Sequence, residues 1–244
     1  MINFNFLHNP IIILKLTFFE HIIELYERLV FIIKLSILLI GFSFLKVYKL
    51  ISILKYPVQN IKFFQFSPNE YFITTFKIAF YNGIFFTSPF IIGQFIIFLF
   101  PGLKKKEIFF ILLLILSSII LFFLSFIFSY YILIPTTINF FLNYNETIIE
   151  PFWSFNQYFE FICNFFFNTG LIFQIPIFQV ILELFNIIPF TQILYLWKYI
   201  ILLSTILGAI LTPSTDPLTQ IFFSLVLIIL YSFGLIFIYL IRII

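Results

Sequence analysis

The chain has 244 residues, of which 63% are hydrophobic and only 9% charged. No soluble domain of this size presents such a composition to water without large exposed apolar patches, so the chain belongs in lipid. Its formal charge of +3 is spread thinly, with no basic tract beyond Lys104-Lys105-Lys106, which argues against nucleic-acid binding.

A helical crossing takes roughly 20 apolar residues. Hydropathy and its polar breaks place six spans near 29–48, 71–98, 108–134, 156–182, 193–212 and 217–241. The expected fold is all-α: a polytopic membrane protein whose residues 1–244 form a single membrane domain. Residues 1–16 have neither a basic start nor a small-residue cleavage site, so no cleavable leader is expected. Residues of about 17–28 read as an amphipathic helix leading into the first span. Glu20, Glu24, Glu27 and Arg28 share one stripe of it, and Phe18, Ile22, Leu25 and Leu29 form the other. Glu24 and Arg28 are spaced to pair as i, i+4 neighbours. Three carboxylates with one cation also leave an acidic face that a guanidinium-bearing ligand could use.

Between the first two spans, Lys46, Lys49, Lys55, Pro57, Lys62 and Ser67-Pro68 mark a short interfacial helix too punctuated to cross. Pro89 in the second span and Pro176 in the fourth each remove one helix hydrogen bond and are expected to kink it, giving a concave bundle. Pro101 to Lys106 is a tight basic turn, after which Glu107 opens the third span and complements its positive end. Asn143 to Trp153, with Glu146 and Glu150, is an acidic loop on the opposite side. Gln174 is polar at membrane depth, where such residues face protein, either in an interhelical hydrogen bond or against a partner. A short turn surrounds Pro189, and Thr212 to Pro217 links the last two spans. The fifth span is short, about 15 residues from Lys198 and nearer 20 if Tyr195 to Trp197 anchor it, so it either thins the bilayer or is extended by a turn. With the N-terminus inside, seven basic residues fall on the inner side and four on the outer, which favours both termini inside.

There is no Walker A pattern, no His-Glu-x-x-His site and no nucleophile elbow. His8 and His21 both precede the first span, and Cys163 is the lone cysteine, read as a buried, inert thiol. The chain is therefore not expected to be an enzyme or to hold a metal or cofactor. The 42 Phe and 13 Tyr stand against Ala79 and Ala209 alone, a bias towards AT-rich codons that suggests an organelle's genome. Many of the phenylalanines are then lipid-facing filler. A secondary transporter is one rival reading, requiring broken helices with midplane carboxylates and internal repeats. A respiratory-complex assembly subunit is another.

Four short motifs occur in register with these spans. His21-x-x-Glu24-Leu25-x-x-Arg28-Leu29 opens the first, and Phe98-x-x-Pro101-Gly102-Leu103 followed by Glu107 joins the second to the third. Phe173-Gln174-Ile175-Pro176 lies in the fourth, and Leu211-Thr212-Pro213 with Asp216 links the fifth to the sixth. Together they resemble the TatC family, core subunits of the twin-arginine protein translocase. The resemblance implies a receptor for signal peptides of folded cargo proteins, with Glu24 and Glu107 binding the paired arginines and Glu27, Arg28 and Phe98 beside them. It implies TatA/TatB-like single-span partners meeting the chain near Gln174 and Pro176, and structural roles for Pro89, Pro101, Gly102, Pro213 and Asp216. It implies a homo- or hetero-oligomer in the lipid bilayer, driven by the proton gradient and without a cofactor. One departure stands out: the family's first arginine in the opening motif is Tyr26 here, which predicts a more acidic site with relaxed selectivity. The codon bias and altered motif favour the mitochondrial inner membrane over a plastid thylakoid or bacterial inner membrane.

Overall fold

The computed structural model describes residues 18–58, 63–99, 108–144, 152–212 and 217–243. Its helices are α1 (Phe18–Leu45), α2 (Val47–Lys55), α3 (Glu70–Leu99), α4 (Ile108–Phe128), α5 (Ile134–Tyr144), α6 (Phe155–Ile172), α7 (Ile175–Leu184), α8 (Phe190–Tyr195), α9 (Trp197–Leu211) and α10 (Pro217–Ile243). Five stretches are long and apolar enough to cross a bilayer: Phe19–Leu45, Glu70–Phe98, Leu112–Asn143, Phe155–Leu184 and Pro217–Arg242. The shorter apolar α9 supplies the sixth crossing. Successive crossings alternate in direction, so the start of α1 and the ends of α3, α7 and α10 share one side, the N-terminal side. Helix α2 and the start of α6 lie on the far side.

Helix boundaries follow the local chemistry. The amphipathic segment and the first span form one continuous helix, since no glycine or proline from Phe18 to Ile40 interrupts its ladder. The third crossing runs past 134 to Tyr144 through a π turn at Ser129–Leu133. Pro135 accounts for that turn. Its ring would press on the carbonyl four residues back, and the wider turn makes room, with the Ile134 N–H reaching the Ser129 carbonyl.

Pro89 leaves α3 unbroken, and the Phe85 carbonyl deprived of its N–H accepts the Ser88 hydroxyl at 2.8 Å. Pro176 acts more strongly: the fourth crossing is two helices, with Phe173 and Gln174 between them and the proline in the first turn of α7, where its missing N–H costs nothing. Helix α7 ends in a Schellman turn, with Asn186 at φ 55° and the Ile187 N–H returning to the Leu182 carbonyl.

Not all the phenylalanine is lipid-facing. Phe85, Phe122, Phe159, Phe165, Phe166 and Phe223 form a buried aromatic core where α3, α4, α6 and α10 meet. A second cluster, including Ile96, Ile177, Val180 and Ile238, joins α3, α7 and α10 on the N-terminal side.

On the far side Phe63–Phe64 pairs in parallel with Trp153–Ser154, a long-range contact that hydropathy could not reveal. Beside it one Glu70 carboxylate oxygen accepts from the Ser154 hydroxyl at 2.6 Å and the Asn156 N–H at 3.0 Å. Lys77 and Glu160 pair at 2.8 Å between α3 and α6.

Candidate functional site

The polarity of α1 is the reverse of a soluble amphipathic helix. Ile22, Leu25 and Leu29, the apolar stripe, are exposed. Glu24 and Arg28 are the half-buried edge, turned towards α3. In lipid this is the stable arrangement, because apolar side chains meet hydrocarbon while polar ones find protein partners.

The Arg28 guanidinium donates from Nε and Nη2 to one Glu24 oxygen, Oε1, at 3.0 and 2.6 Å. From Nη1 it donates to Gln94 Oε1 of α3 at 2.9 Å. The other Glu24 oxygen, Oε2, has His21 Nδ1 at 3.9 Å as its partner among the described residues. Glu24 is thus oriented by Arg28 and keeps one acceptor for a second cation. Tyr26 is 67% exposed on the other side of α1, so its substitution for the family's arginine does not leave Glu24 unheld.

Glu27 is exposed, and Phe98 is half-buried at the end of α3, one turn beyond Gln94 on the same face. Gln94 is the site residue that motif reading missed. The available signal was a lone amide in the apolar run Phe90–Phe98, where a polar group needs a protein partner. Glu107, Pro101, Gly102, Pro213 and Asp216 lie outside the described residues.

Gln174 is 1% exposed. Its Oε1 accepts from the Ser118 hydroxyl at 2.8 Å, and its Nε2 donates to the Ser118 carbonyl at 3.3 Å. These are interhelical hydrogen bonds, one of the two readings of this amide. Pro176 is buried too, with its Cα close to Gly234 of α10, so both residues face protein of the same chain. Gln174→Leu is expected to lower stability by about 1–2 kcal/mol, because it strands the Ser118 groups. Gln174→Glu should lose less at acidic pH, where the neutral acid still accepts from the hydroxyl and can donate to the Ser118 carbonyl, and more once the buried carboxyl ionises. Thermal unfolding in detergent measures both.

The break between α6 and α7 is the kind of feature a transporter would use. Here its only polar side chain is Gln174, already satisfied inside the bundle. Among the described residues no group of His, Cys, Asp and Glu is arranged to hold a metal. Further out on the N-terminal side, Glu183 at the end of α7 accepts from Arg242 Nε of α10 at 2.7 Å, with the guanidinium over the Phe190 ring.

Known proteins are similar to this chain in sequence and in fold. The family described as TatC, Sec-independent protein translocase protein, matches residues 20–225. An uncharacterized tatC-like protein ycf43 of Trieres chinensis is 54% identical over 240 residues, covering 98% of this chain and 91% of that one. The Sec-independent protein translocase protein TatC of Synechocystis sp. is 40% identical over 208 residues, 84% of this chain and 81% of that one. The chloroplastic Sec-independent protein translocase protein TATC of Pisum sativum is 38% identical over 226 residues, 90% and 63% of the two chains. A crystal structure of the twin-arginine translocase receptor TatC superposes with a TM-score of 0.79 at 30% identity, covering 89% of this chain and 99% of that one. The chain belongs to the TatC family, as a multi-pass membrane subunit of the Sec-independent protein translocase and not an enzyme.

Proposed function

We propose that this subunit is the receptor that binds the paired arginines of a folded cargo's signal peptide at Glu24, with Glu107 as second acceptor, and that it recruits single-span partner subunits. The observation that carries the reading is the state of Glu24. One oxygen is fixed by Arg28, itself braced on Gln94, while the other is left to a distant His21. A carboxylate preset in that way offers an incoming guanidinium a charge-assisted bond without first having to be ordered. Both termini lie on the side that meets the cargo, and transport draws on the proton gradient. The membrane we propose is the thylakoid. The relatives named as chloroplastic and cyanobacterial support it, in place of the mitochondrial inner membrane that codon bias favoured.

The test is a photoreactive phenylalanine analogue at Phe98, with the protein in nanodiscs and a labelled signal peptide added. Cross-linking is expected to be strong with a twin-arginine peptide. A twin-lysine peptide should compete about fivefold less well, since an ammonium forgoes one hydrogen bond of the guanidinium fork. Equal competition by both peptides would show that guanidinium selectivity is gone, and absence of any cross-link would remove the site.

A further inference from the structure

We propose that the row Asn156, Glu160, Asn164 and Asn168 on α6 docks one transmembrane helix whose side chains both donate and accept hydrogen bonds, as hydroxyls and carboxamides do. This deepens the recruitment of single-span partners and rests on that reading. The four residues recur at every fourth position, so they form a single ridge about 18 Å long on one face of the helix. All four are partly open to the surroundings, as are the flanking Phe161 and Phe167.

Three of the four have partners inside the chain. Asn156 Oδ1 accepts from Thr74 Oγ1 at 3.2 Å and from Lys77 Nζ at 3.3 Å. Glu160 holds Lys77 at 2.8 Å, and Asn168 donates from Nδ2 to the Leu211 carbonyl. Asn164 has no hydrogen bond to any described residue, although it stands about 14 Å along α6 from Phe155, inside the crossing. An amide at that depth is unfavourable against hydrocarbon and calls for a partner, which none of the described residues supplies.

The neighbouring helices do not supply it. Helix α9 ends at Leu211, level with Asn168, and α10 packs through Phe223 on Phe165, on the buried edge of α6. The chemistry of the row also selects its occupant. Lys77 already neutralises Glu160, so a charged partner gains nothing there. The groups with no hydrogen bond to a described residue are Asn156 Nδ2, Glu160 Oε1, both polar side-chain atoms of Asn164 and Asn168 Oδ1, a mixture of donor and acceptor that a neutral polar helix matches. Phe161 and Phe167 give such a helix apolar surface on either side.

The probe is a synthetic polyleucine transmembrane helix with one central Asn, compared with its all-Leu counterpart. Each is labelled for energy transfer to the full chain in proteoliposomes. The Asn-bearing helix is expected to bind about threefold more tightly, the equivalent of ~0.6 kcal/mol for an interhelical hydrogen bond in a membrane. Asn164→Leu should abolish that preference while leaving thermal unfolding unchanged. Equal binding of the two helices, or a preference that survives Asn164→Leu, overturns the proposal. A second measurement separates a helix site from a water-filled cleft. In a Cys163→Ala background, Asn164→Cys is expected to resist a membrane-impermeant maleimide, and rapid labelling would overturn the proposal. Neither readout involves the Glu24 end, so signal binding can stand or fall separately through the Phe98 cross-link.

Discussion

Glu24→Gln is expected to weaken binding of a twin-arginine signal peptide by roughly ten- to hundredfold, the loss that follows when a hydrogen bond to a charged group, worth about 1.5–3 kcal/mol, is removed. The glutamine can still accept from Arg28 through its single oxygen, so the brace from α1 to Gln94 and the fold should survive. What disappears is the negative charge and the acceptor at Oε2. The uncompensated Arg28 cation then repels the incoming guanidinium, which adds to the loss. Glu27→Gln is the control. That side chain is exposed, where a charge contributes about 0–1 kcal/mol, so affinity should change by only a few fold and the difference should fade with added salt. Fluorescence anisotropy of a labelled peptide against each variant in nanodiscs measures both. Unchanged affinity in Glu24→Gln would remove this carboxylate from the binding site, whatever the effect at Glu107.

The all-α, six-crossing class was readable from composition, because hydropathy is a local property and the bilayer sets one length for every crossing. The four motifs carried the family for a similar reason, since each is a short string of particular side chains. What could not be read depended on residues far apart in sequence. Gln94 becomes a site residue only because α1 and α3 run antiparallel and bring it to Arg28. The pairing of Phe63–Phe64 with Trp153–Ser154 joins two loops some ninety positions apart. Proline gave a mixed signal. Three of these residues lie within apolar crossings, yet α3 passes Pro89 intact, Pro135 is accommodated by a π turn, and Pro176 starts a new helix. The outcome was decided by whether a nearby hydroxyl or a widened turn could take up the freed carbonyl, which no propensity scale records. Along α1 the sequence separates a polar stripe from an apolar one, and the surroundings decide which is covered: in lipid the apolar stripe is exposed while Glu24 and Arg28 turn to protein.

Gly83→Leu is expected to have the largest structural effect of any single substitution in the α1–α3 seam. Helix α1 packs chiefly on α3, and almost none of its apolar length is buried elsewhere. The seam runs from Asn82 Nδ2 donating to Ser43 Oγ at 2.9 Å, past Gly83 against Ile40, to Arg28 on Gln94 at the N-terminal side. A Cβ at Gly83 would stand 2.7 Å from the Ile40 Cα and 2.8 Å from its backbone nitrogen. Backbone cannot swing aside as a side chain can, so α1 must back away from α3. For Gly83→Ala the strain of about 1–3 kcal/mol is partly offset by the ~1 kcal/mol of helix propensity that alanine gains. Leucine gains nearly the same propensity but adds three further carbons to the clash, and should part the helices and separate Arg28 from Gln94. Signal-peptide binding should then fall together with thermal stability. Gly93→Ala, ten residues along the same helix, should do the opposite. Nothing lies within 4 Å of a Cβ there, so the alanine gains about 0.5–1 kcal/mol of helix stability with no clash. Spin labels on α1 and α3 report the seam directly: a distance that lengthens in Gly83→Leu and stays fixed in Gly93→Ala is the expected pattern. An unchanged distance and unfolding midpoint in Gly83→Leu would mean that α1 is held by something other than this close approach.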